Sequence, residues 1–177
     1  MTSNDKALSM ELKSFDFNSI HKSIEANSKI IDNLVNNLVS SYCSELDSYV
    51  TYIKKILDDT NTPIVDTELD DFVLTLPTLL YFVSESQEAL GIREDVSKAY
   101  EKDKFNETIS HTEGTVAVKT ALAELETQNE YLAKVVYQRA YKKIKLRVEA
   151  AYELLQSVKK VLSRRMLALE LSKTGGY

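Results

Sequence analysis

Glycine and proline are scarce: four Gly and two Pro in 177 residues. Average usage is about 12% for the two together. Tight turns and sheet-rich folds need more of both, so the shortage points to few turns and long helices. One cysteine excludes a disulfide framework and a cysteine-based zinc site. Tryptophan is absent. Apolar runs are only a few residues long, too short to span a bilayer, so no membrane role is expected. The start, Met1-Thr2-Ser3-Asn4-Asp5, lacks the basic end and apolar core of a signal peptide, and a cytoplasmic location is expected.

What is present is ordinary globular composition, 44% apolar and 28% charged, with a net charge of −5. The length suits one domain. Residues 1–15 read as a flexible polar leader and 173–177 as a tail. From residue 16 to 59, apolar positions such as Ile20, Ile24, Ile31, Leu34, Leu38, Tyr42 and Leu46 recur mostly at steps of three or four, as in one amphipathic helix. Asp58 to Pro63 should stop it. Asp66-Thr67 is the expected cap of a second helix over 66–90, with Pro77 expected to kink or break it. Leu90-Gly91-Ile92 reads as that helix's end, with Gly91 in the left-handed cap. A third helix is predicted over 94–110, then a break at 111–115. No Gly or Pro lies between Val116 and Ser172. A single helix over 116–172 would be about 85 Å long. The predicted fold is therefore all-α: an elongated antiparallel helical bundle with two long helices and two shorter ones, in a single domain over 16–172.

Charge is unevenly spread. Ten basic residues lie between 134 and 165: Lys134, Arg139, Lys142, Lys143, Lys145, Arg147, Lys159, Lys160, Arg164 and Arg165. Only Glu149 and Glu153 oppose them there, while residues 1–133 carry 11 basic and 24 acidic side chains. On a helical wheel, Tyr137, Ala140, Ile144, Val148, Ala151, Leu155, Val158, Leu162, Met166 and Leu169 form an apolar stripe, and the basic residues fall outside it. Lys and Arg neutralise phosphates, and Tyr131, Tyr141 and Tyr152 lie close enough in sequence to stack on unpaired bases. The ten residues are the candidate nucleic-acid-binding set. Two other readings stay open: docking on an acidic protein surface, possibly the chain's own acidic part, or a merely solvated face. Val136, Leu146, Leu154 and Val161 also lie off the stripe. They are the expected oligomer contacts, because a helix of that length needs a partner to cover it.

Other chemistry finds no support. Asp66, Glu68, Asp70 and Asp71 superficially match a calcium loop, but its required Gly and Glu are replaced by Asp71 and Pro77. His21 and His111 lack a partner at ligand spacing, and Cys43 falls on the apolar seam. No Gly-rich loop or catalytic constellation is present, so a non-enzymatic role with no cofactor and no metal is expected.

Residues 151–166, from Ala151-Tyr152-Glu153-Leu154-Leu155 to Ser163-Arg164-Arg165-Met166, resemble the last helix of phage recombination mediators of the UvsY kind. In those proteins an apolar helix leads to a basic position near the C-terminus. The resemblance implies a phage-encoded accessory protein in the host cytoplasm. It implies a homo-oligomer that binds single-stranded DNA and loads a recombinase without catalysis, with Lys159, Lys160, Arg164 and Arg165 as the matching basic residues. Met166, Leu167 and Ala168 stand where the family shows an aromatic residue. The alternative is a structural or regulatory interaction protein, such as a virion component or an inhibitor of a host protein, whose basic helix docks on an acidic partner.

Overall fold

A computed structural model describes residues 17–59 and 63–174. The leader, the centre of the first connection and the last three residues lie outside the described part. Among the described residues the fold is an all-α bundle of four helices: α1 (Phe17–Asp58), α2 (Asp66–His111), α3 (Val116–Glu126) and α4 (Gln128–Thr174). No helix among the described residues is long and apolar enough to cross a membrane.

Cross-helix polar contacts give the directions. Tyr49 Oη donates to Asp71 at 2.7 Å, and Arg93 donates to Tyr42 Oη at 2.7 Å, so α1 and α2 are antiparallel. Lys104 pairs with Glu130 and Arg165 with Asp66, so α2 and α4 are antiparallel. Lys143 pairs with Asp32 and Arg147 with Asp47, so α1 and α4 run parallel. The shared core takes Val39, Cys43, Leu46 and Ile53 from α1, Phe72, Leu76 and Leu90 from α2, and Ala140, Ile144 and Leu155 from α4. Cys43 is fully buried, as its place on the seam predicted.

The helix breaks fall in different places from those read in the sequence. The expected cap at Asp66-Thr67 is one residue earlier: Val65 is the N-cap, and its N–H donates to the Glu68 carboxylate at 3.0 Å. Asp66 and Glu68 then occupy the first turn, where the helix dipole favours anions. Pro77 does not break α2, which is continuous from Asp66 to His111. An interior proline costs about 3 kcal/mol. Phe72, Leu76 and Leu80 around it are buried, and each such side chain contributes about 1.5–3 kcal/mol, which outweighs that cost.

Gly91 does not end the helix either, and the predicted helices over 66–90 and 94–110 are one. A Cβ at Gly91 would lie 3.4 Å from the Tyr141 ring of α4. That is ordinary van der Waals contact, and Gly91 lies inside the helix rather than in a left-handed turn. Among the described residues only Gly114 has positive φ, at 125°, in the predicted break before α3.

The predicted single helix over 116–172 is divided at Thr127. Its φ and ψ are −94° and 5°, and its hydroxyl donates to the Ala123 carbonyl at 2.8 Å. Such back-bonding bends a helix without ending its ladder. The Tyr131 N–H still donates to the Thr127 carbonyl at 2.9 Å. Thr108 of α2 donates to Glu126 at 2.8 Å and holds α3 against α2.

Candidate nucleic-acid interface

α4 supplies the scaffold. Its 47 residues span about 70 Å. It carries eleven basic and four acidic side chains, a net of +7, whereas α2 carries four basic and eleven acidic, a net of −7. The two helices form the largest contact in the bundle, so part of the charge asymmetry is satisfied inside the chain.

The ten predicted residues separate into two sets. Lys134 pairs with Glu101 of α2 and lies 4.6 Å from the centre of the Tyr131 ring. Lys143 donates to Asp32 at 2.9 Å and to Asn36 at 2.8 Å on α1. The Lys143 hydrogen bond and charge hold the Asp32 carboxyl below its ordinary range. Arg147 Nη1 approaches Asp47 to 2.6 Å off the hydrogen-bonding angle. Arg165 donates to Asp66 at 2.9 Å and to the Ile64 carbonyl at 2.6 Å. Lys145 has only Glu149, 3.9 Å away on its own helix. A reciprocal cross-helix pair joins Lys104 to Glu130 at 2.7 Å, raising the lysine and lowering the carboxyl.

Arg139, Lys142, Lys159, Lys160 and Arg164 are exposed and form no ion pair among the described residues. The division follows the helix wheel. Lys143, Arg147 and Arg165 lie on the shoulder of α4 that faces α1 and the start of α2, within reach of their acids. Arg139, Lys142, Lys160 and Arg164 project from the side opposite Ile144, Leu155 and Leu162. They form two clusters, about 30 Å apart along the axis, with Glu149 and Glu153 between them. Tyr131 and Tyr152 are about half exposed beside this face, whereas Tyr141 packs against Gly91.

The predicted oligomer contacts also divide. Val136 and Leu154 are half-buried against the chain's own core, and Val136 also lines an open groove beside α1. Leu146 and Val161 are exposed. His21 stacks on Phe17, and the His111 Nδ1–H donates to the Glu107 carbonyl, both on the surface. Among the described residues no group of three or more His, Cys, Asp or Glu is placed to hold a metal. Burial raises the Cys43 thiol, which makes it a poor nucleophile. Burial and the Asp71 hydrogen bond push Tyr49 up to about 12. No family model, curated protein or solved structure matches the chain.

Proposed function

We propose that this protein is a non-enzymatic accessory protein that binds nucleic acid, single-stranded DNA before duplex, through the outward side of α4. The observation that carries the reading is the unpaired set of the ten, Arg139, Lys142, Lys160 and Arg164 on one exposed side with Lys159 at its margin, left after the other basic residues of this stretch have found acids. A phosphate backbone supplies the missing counter-charge, and Tyr131 and Tyr152 offer ring faces that unpaired bases can stack on. The resemblance of residues 151–166 to UvsY-type mediators supports a place in phage recombination, with a homo-oligomer as the working form.

The test is fluorescence polarisation with a labelled single strand and a duplex over a salt series. Five engaged phosphates give a slope of log affinity against log salt of about −3 to −4 for a single strand. Arg139→Glu, Lys142→Glu, Lys160→Glu and Arg164→Glu together abolish binding and leave helicity unchanged. No wild-type binding near about 50 mM salt overturns the reading and leaves an acidic protein surface as the partner of this face.

A further inference from the structure

Among the described residues, the start of α1 carries a seam that is exposed at Ile20, Ile24 and Leu34, while Ile31 and Leu38 are half-buried against the chain's own core. Ile20, Ile24, Asn27, Ile31, Leu34 and Leu38 alternate steps of four and three, the heptad rhythm of a coiled-coil interface. Every residue from Ile20 to Ile30 is exposed, and α1 makes no contact with α3 among the described residues. Ile20, Ile24, Ile30 and Leu34 are 43%, 58%, 59% and 52% exposed. The same rhythm further along α1, at Val39, Leu46 and Ile53, is buried under α2 and α4. Where the seam meets α4, an apolar groove of about 650 Å3 opens between Ile30, Leu34 and Leu38 on one side and Leu132 and Val136 on the other.

We propose that this seam and groove are the interface with a second copy of the chain, the two α1 helices crossing antiparallel. Ile20 and Ile24 of each copy then enter the groove beside Leu34 and Leu132 of the other. One reciprocal contact of this kind covers both unpartnered features, and their lengths agree. Ile20 to Asn27 and Ile30 to Leu38 each span about 11–12 Å.

Charge selects the occupant. Lys22, Glu25, Lys29 and Asp32 all fall on the side of α1 away from the seam, and the seam's flanks are His21, Ser23, Ser28, Ile30 and Asn37. A nucleic acid or a charged peptide has nothing to hold there, whereas an identical apolar helix matches. Each copy offers Ile20, Ile24, Ile30, Leu34 and Leu132 as exposed apolar side chains to such a contact. The face is separate from the outward side of α4, so its failure and that of the nucleic-acid reading are read independently.

The experiment is light scattering of the full chain near 100 µM. A dimer is expected, twice the 20.1 kDa chain mass. Ile24→Asp gives a monomer of unchanged helicity, because Ile24 is exposed and lies outside the core. Leu146→Asp on α4 leaves the dimer intact. A wild-type monomer overturns the proposal, and so does a dimer that survives Ile24→Asp. Single Ile20→Cys chains must fail to cross-link, because antiparallel pairing about the seam's centre sets the two positions about 25 Å apart along the axis, well beyond disulfide reach. Efficient cross-linking of that variant also overturns it.

Discussion

α1 and α4 run parallel through the same core, and each divides one kind of side chain into partnered and unpartnered sets. α1 divides its apolar residues along its length: Val35, Val39, Leu46 and Ile53 are buried, and Ile20, Ile24 and Ile30 are exposed. α4 divides its basic residues around its circumference: Lys143, Arg147 and Arg165 meet acids, and Arg139, Lys142 and Arg164 do not. A repeat of residue type marks a surface that can be covered. Neighbouring elements decide which part of it is.

The sharpest way to test this division is to truncate matched residues on either side of it. Leu46→Ala and Ile144→Ala, each in the core, should lower the unfolding free energy by about 2–5 kcal/mol in urea melts. Leu146→Ala, two residues from Ile144 and 65% exposed, should stay within about 0.5 kcal/mol. Equal losses at Ile144 and Leu146 would contradict the burial pattern.

The two described glycines give a smaller contrast of opposite sign. Gly114→Ala forces a side chain into a left-handed backbone and should destabilise by about 1 kcal/mol or more. Gly91→Ala sits in a helix with ordinary contact to the Tyr141 ring and should stabilise by about 0.5–1 kcal/mol. Thermal melts of both variants would check the signs.

Among the charges, Lys143→Ala should cost at most about 1 kcal/mol, as an exposed pair does, and barely change DNA affinity. Lys142→Ala should leave stability alone and reduce the salt slope of DNA binding by about one. The reverse assignment, with Lys143 carrying the affinity, would mean that the pair to Asp32 opens on binding.

The smallest effects are those of pH. Asp32 and Glu130 are held low by Lys143 and Lys104, so their stabilisation is present above the ordinary carboxylate range and is lost as pH falls through the folded values. Tyr49 and Lys104 are raised in the folded protein. Their contribution is full below their ordinary values and is lost as pH rises, through about 12 for Tyr49. A stability profile by chemical denaturation should therefore be flat near neutrality and fall at both ends. A rise in stability between pH 10 and 12 would contradict the Tyr49–Asp71 hydrogen bond.

The sequence by itself determined the fold class. Few glycines and prolines and a sustained 3.6-residue apolar rhythm leave a helical bundle as the structure that buries those stripes. It also determined the location of the excess positive charge on the last helix and the burial of Cys43. Tertiary structure decided where helices stop and which charges remain free. Gly91 and Pro77 carry local signals for breaks, but packing against Tyr141 and burial around Phe72 outweigh them. Thr127 carries no such signal, yet its buried hydroxyl bends the chain. The ten basic residues look alike in sequence. Their division depends on the acids of α1 and α2 brought alongside them from more than 30 residues away, a relation that no local spacing contains.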